Sequence, residues 1–296
     1  MKDGFSSRRL LASVVAVLLT GCGSGLAPGA NSGGTDGVGR AGPPSGGDPA
    51  AALAKWRSFP VTANPRPLVL VGAPVLDPAT GFRTGDAKLA YVSGAFEPAV
   101  ALPSTPVTSG GYALVTARAA LEKLRASAAK QPVAHPVRIV AVSLGKASFG
   151  TDRGPRTLPA WRFTLDQAAD PVEVLAVAPK YLWPAASAGL PDRGATLGAD
   201  GRTVTYRFFG TPAGPPPCGA EYAADVAEAG TAVVLSVREV APSPRPGSAP
   251  AGSDTSAAQG CTAIGALRTV TVTLSSPLGA RVLLTSDGAP VAVVSR

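Results

Sequence analysis

The sequence predicts an α+β fold dominated by strands, with mainly antiparallel sheets and one clear helix at residues 116–129. Three observations carry that reading. Short β-branched runs with period-two alternation recur along the chain, Gly, Pro and Asp turn signals separate them, and only one stretch keeps helical spacing of its apolar residues.

In chain order, AALAKWRSF at 51–59 reads as a short helical turn, and PLVLVGA at 67–73 and AKLAYVSGAF at 87–96 read as strands. Thr116 is a plausible N-cap for the helix, with Ala117, Ala120, Leu121, Leu124 and Ala128 on one face and Glu122, Lys123 and Arg125 on the other. Runs at 137–149, 157–165 and 171–179 are strands, so residues 51–188 form a ββαβββ unit of α+β type.

Residues 189–296 read as all-β, with the weakest joint between Pro184 and Gly194. Asp200 and Gly201 divide two strand runs in the manner of a tight hairpin, and Gly230 divides two more. The run 268–294 adds three strands broken at Pro277–Gly279 and Asp287–Gly288. Seven short strands suggest a sandwich or a strongly curved sheet, and the alternation of Val270, Val272 and Leu274 with Thr269, Thr271 and Thr273 marks the core face.

The N-terminus carries Lys2, Arg8 and Arg9 against Asp3, then an uncharged run from Leu10 to Thr20, which is the layout of a signal peptide at 1–21. Crossing a bilayer takes roughly 20 apolar residues, more than this run supplies. Leu19, Thr20, Gly21 and Cys22 resemble the bacterial lipobox. That resemblance implies a lipidated Cys22 as the first residue of the mature chain, anchored by acyl chains that each contribute about 0.8 kcal/mol per buried methylene.

Gly and Pro crowd into 23–50, with ten glycines and four prolines and no apolar periodicity, so residues 22–50 read as a disordered tether. A similar composition at 241–260 reads as a disordered loop. Removing the leader takes the net charge from +8 to +6, and that charge is scattered. No Lys/Arg cluster interleaves with aromatics, so a nucleic-acid partner lacks its electrostatic footprint. With Cys22 acylated, Cys218 and Cys261 remain as an even pair in an exported chain, which predicts a disulfide. Closing that loop of about 44 residues stabilises by roughly 4 kcal/mol in the chain-entropy model.

No residue set announces catalysis. His135 is the only histidine, and with two cysteines it cannot complete a four-ligand metal set; without a phosphate loop, GxGxxG, HExxH or EF-hand pattern, no cofactor is expected. Ser127 and Lys130 spell an SxxK, but neither SDN nor KTG follows, and the tetrad falls at a helix end. Glu221, Asp225 and Glu228 alternate across a strand as solvent-facing acids do. Trp161, Tyr181 and Trp183 share one end of the sheet if their two runs pair; exposed, they would stack on a sugar or peptide, and buried, they are core.

The run TDRGPRTLPAWRFTL at 151–165, and the later order Cys218, strand pair, Cys261, RTVTVTLSSPLGARVLL, resemble uncharacterised secreted lipoproteins of actinobacteria. The resemblance implies an address and an architecture, with no activity attached. The expected protein is a lipid-anchored envelope lipoprotein on the outer face of the cytoplasmic membrane. In one reading it is a non-catalytic module binding a cell-wall polymer or an envelope protein. In the other it is a hydrolase or transferase acting on the cell wall.

Overall fold

In chain order, the elements are α1 (Pro49–Trp56), β1 (Val75–Leu76), α2 (Gly85–Val92), β2 (Phe96–Pro98), β3 (Thr108–Ser109), β4 (Tyr112–Ala113) and α3 (Ala117–Ala126). There follow β5 (Val137–Thr151), β6 (Gly154–Leu165), β7 (Val172–Leu175), β8 (Gly194–Leu197), β9 (Thr203–Gly210), β10 (Glu221–Glu228), β11 (Ala232–Val240), β12 (Ala266–Thr273), β13 (Val282–Thr285) and β14 (Val293–Ser295). The computed structural model describes residues 47–104, 107–184, 193–214, 218–240 and 265–296. The fold is α+β and β-dominated, with mainly antiparallel pairing. Among the described residues, no helix is long and apolar enough to cross a membrane.

The first half is a five-stranded sheet in the order β1-β7-β6-β5-β2, built on the long β5–β6 hairpin. Its two faces bury different clusters, as strand alternation requires. Trp161, Phe163, Val172 and Val174 pack under Ala87 and Ala90 of α2 and Ala117, Leu121 and Leu124 of α3. Leu158, Ala160 and Leu175 face the other way, against Leu68, Ala147, Phe149 and Val177. Thr116 caps α3 as expected, its hydroxyl accepting from Ala119 N–H at 3.2 Å.

The run at 87–96, expected as a strand, is instead the helix α2 followed by β2. Thr84 caps it, accepting from Ala87 N–H at 3.1 Å, and Asp86 sits in the first turn, where a negative charge suits the dipole. Ala87 and Ala90, three residues apart, then bury one helical face that alternation in Leu89 and Tyr91 concealed. The run at 67–73 contributes only the isolated bridges Leu68–Leu182 and Leu70–Thr151, not a strand.

The second half holds the seven strands β8–β14 in two sheets, β12-β9-β8-β14 and β10-β11-β13. Val204, Tyr206, Phe208 and Val270 of one meet Val233, Leu235, Val237 and Leu283 of the other, which makes a sandwich core. Thr269, Thr271 and Thr273 stay exposed while Val270 and Leu274 are buried. The outer face of β11 and β13 is covered by α1: Ala52, Trp56, Phe59, Val69 and half-buried Trp183 join Ala232, Val234, Val282 and Leu284. Asp48 caps α1 through Ala50 N–H, and Gly47 lies so close to Ser286 that a Cβ there would fall 2.1 Å from its carbonyl oxygen. Residues 47–50, expected at the end of the tether, thus belong to the fold.

The two halves meet at the tip of the β5–β6 hairpin. Asp152, 2% exposed, takes a bidentate pair from Arg66, at 3.2 Å and 2.5 Å. Its N–H donates to Val69 O and its carbonyl accepts from Val293 N–H. Arg153 reaches from the same tip to the carbonyls of Gly279 and Arg281, both at 2.7 Å. The domain boundary expected at 188/189 falls on residues outside those described.

Candidate functional site: a cleft beside the helix ends

The C-terminal ends of α2 and α3 converge. Gly94, at φ +71°, follows α2 so closely under α3 that a Cβ would lie 2.7 Å from Ala128 Cβ, and Ala129 N–H donates to Val92 O. Arg125 donates to Phe96 O at 2.7 Å and holds α3 over the sheet edge. Between these helix ends and the chain leading into β1 lies an open cavity of about 580 Å³, within the roughly 300–1,000 Å³ range of small-molecule sites.

Its wall is mostly apolar, formed by Leu70, Val75, Val92, Leu124, Val174 and Leu182. The single acid in the wall, Asp77, is occupied by Tyr91, whose hydroxyl donates to Asp77 Oδ1 at 2.5 Å. Burial first, then the hydrogen bond and the negative charge of Asp77, push the Tyr91 phenol well above its ordinary range. Phe82 and Phe96 hold that ring, at 4.8 Å and 5.6 Å between centroids. Across the cavity stands Lys123 of α3. Burial pushes its ammonium below the usual lysine range, and no described carboxylate or carbonyl pairs with it. The helical wheel places Lys123 on the solvent side of α3; in the fold its side chain borders the cavity opposite the chain entering β1, while its neighbour Glu122 stays exposed.

A second hollow of about 520 Å³ continues past Tyr91, sharing Asp77, Tyr91 and Val92 and adding Thr80, Arg83, Thr84 and Lys88. Its loop is held by Asp170, which accepts from Thr80 N–H at 2.9 Å and Thr80 Oγ1 at 2.8 Å. Those hydrogen bonds, the hydroxyl's first, keep the Asp170 carboxyl below its ordinary value.

The residues singled out from sequence are scattered. Trp161 is 3% exposed and its indole N–H donates to Val115 O at 2.8 Å, so it offers no face for stacking. Tyr181 packs edge-on against Tyr112, and Trp183 packs against Trp56 and Phe59. The three rings belong to three different clusters rather than to one end of the sheet. Cys218 is disulfide-bonded. Cys22 and Cys261 lie outside the described residues. His135 is exposed in the loop before β5. Glu221, Asp225 and Glu228 are paired with three separate arginines, Arg268, Arg238 and Arg281.

Ser127 does border the cavity, as the C-cap of α3, but its hydroxyl donates to Leu124 O at 2.9 Å, and Lys130 is exposed at the chain's exit from the helix. Asp77, Tyr91 and Lys123 were not recognised from sequence, because each comes from a different element and none belongs to a motif. Among the described residues no three His, Cys, Asp or Glu side chains gather to hold a metal ion. Chemically the described wall offers apolar contact and one cation, Lys123, without a described hydrogen-bond or ion-pair partner. Its phenol keeps its proton, and its serine hydroxyl is bonded to the Leu124 carbonyl. No family model, curated protein or solved structure matches the chain.

Proposed function

We propose that the protein is an envelope lipoprotein, anchored through acyl chains on Cys22 at the outer face of the cytoplasmic membrane, and that its folded part is a non-catalytic binding module. The lipobox-like Leu19–Cys22, the charged and apolar leader, and the resemblance to secreted actinobacterial lipoproteins support the address. The binding role rests on one observation, the apolar cleft in whose described wall the single acid accepts from Tyr91 and Lys123 has no described partner. A large apolar pocket with a few convergent polar groups is the ordinary form of a ligand site. In a hydrolase, two carboxylates or a serine hydrogen-bonded to a base would converge there, whereas the described wall holds one acid and a serine whose hydroxyl donates to the Leu124 carbonyl and not to Lys123.

Two experiments test the two parts. Cys22→Ala should release the protein from membranes, and continued retention would remove the anchor. For the cleft, protein isolated from its native envelope should carry a small molecule, seen by mass spectrometry of the extract, that is absent from an Ala126→Trp variant with the cavity filled. Identical extracts would overturn the binding role. The pairing of Cys218 with Cys261 belongs to the same proposal, and a disulfide-linked peptide in an unreduced digest is its expected signature.

A further inference from the structure

The charge of the cleft narrows what it takes. Along both hollows the wall carries Lys123, Arg83 and Lys88 against the single carboxylate of Asp77. That carboxylate accepts the Tyr91 hydroxyl and keeps its negative charge, so the three cations outnumber it across the described wall. The side chains of Lys88 and Lys123 make no hydrogen bond or ion pair with described residues, whereas the Arg83 guanidinium donates to Asp166 O at 3.5 Å. The first hollow is otherwise aliphatic, and Val92 and Leu89, each 42% exposed, extend the apolar surface along α2.

A lysine in the last turn of a helix complements the helix dipole from any outward direction. That favourable term does not require its stem to line a cavity, where burial opposes the charged form. An anionic group bound beside the ammonium would offset that cost by a charge-assisted contact. The aliphatic wall would take the remainder of such a ligand out of water, at roughly 25 cal/mol per Å² of apolar surface.

Resting on the reading of the cleft as a ligand site, we infer that it takes a single-chain anionic amphiphile. Its hydrocarbon chain lies along Leu70, Val75, Leu124, Val174 and Leu182, and its acid group lies against the Lys123 ammonium.

The test titrates the full-length chain carrying Cys22→Ala with dodecanoate, dodecyltrimethylammonium and dodecyl maltoside by calorimetry below their micelle concentrations. Dodecanoate should bind at one equivalent and more tightly than the other two. Lys123→Met should weaken dodecanoate at least about tenfold, the scale of one lost charged hydrogen bond, and leave dodecyl maltoside unchanged. Lys130→Met, an exposed charge at the end of the same helix, should change neither. Ala126→Trp should abolish all binding. Equal dodecanoate affinity in the parent and Lys123→Met, or tighter binding of the cationic probe, overturns the anionic class while the cleft stands as a site. Failure of all three probes overturns the amphiphile, and the envelope extract then decides separately whether the cleft binds anything.

Discussion

The tip of the β5–β6 hairpin and the cleft beside α2 and α3 both remove charged side chains from water, and they do it in opposite ways. At the tip, Asp152 meets Arg66 on both carboxylate oxygens, and Arg153 satisfies two carbonyls of the opposite half. In the cleft, Lys123 is partly buried with no partner among the described residues, beside a cavity large enough for a small molecule. A buried charge that is fully paired belongs to the architecture; one left unpaired beside open space is a cost the fold carries, and a site is the economical reason for carrying it.

The strongest way to break this comparison is Asp152→Ala. It leaves Arg66 and Arg153 at the joint without their carboxylate, and removing one partner of a buried pair costs about 3–5 kcal/mol. Urea denaturation should show that loss as a lower midpoint. A change under about 1 kcal/mol would mean that the tip is decoration and that the apolar clusters alone join the halves. Leu121→Ala comes next. Leu121 is 0% exposed in the cluster beneath α3, and a large-to-small change at such a site costs about 2–5 kcal/mol. This substitution tests whether the wall of the cleft is rigid, because loosening α3 should weaken dodecanoate binding along with stability.

What was legible in the sequence followed from strong local periodicity. Val270, Val272 and Leu274 alternating with threonines specified β12 and its buried face, and the Asp200–Gly201 and Gly230 turns specified the hairpins around it. Thr116 and the Ala117–Leu124 stripe specified α3. The run holding α2 was misread, because Leu89, Tyr91 and Val92 suit a strand locally and only tertiary burial of Ala87 and Ala90 selects the helix. The cleft was illegible for a different reason. Asp77, Tyr91 and Lys123 come to line one cavity only after three segments pack, and a helical wheel shows which side of α3 is apolar without showing that Lys123 on the other borders a cavity. The hairpin tip was equally silent: Asp152 is an ordinary turn residue until Arg66 arrives from 86 positions away.

Lys123→Met sharpens the comparison at lower amplitude. Where Asp152→Ala strands charges, Lys123→Met removes one that has no partner, so stability should stay within about 0.5 kcal/mol or rise, while dodecanoate binding falls. A loss above about 1 kcal/mol would make Lys123 a structural cation after all.

The smallest effects concern two tyrosines that differ in the same way as the two regions. Tyr91 is bonded to Asp77, whereas Tyr206, 1% exposed inside the sandwich, has no hydrogen-bond partner for its hydroxyl among the described residues. Burial pushes both phenols up, and at Tyr91 the Asp77 carboxylate adds to it. A raised folded-state value means that the folded protein holds these protons more tightly than the unfolded chain. Their contribution is therefore complete below the ordinary tyrosine value of about 10 and is lost as pH rises beyond it. Difference absorbance should accordingly show the Tyr91 and Tyr206 phenols failing to ionise until the protein unfolds in alkali. Tyr91→Phe should remove one of those delayed ionisations. Tyr206→Phe should remove the other at no cost in stability, or with a gain of about 0.5 kcal/mol, because it deletes a buried hydroxyl that bonds to nothing. If Tyr206→Phe is instead destabilising by more than about 1 kcal/mol, that hydroxyl has a partner in the folded protein, and the sandwich interior is as fully paired as the hairpin tip.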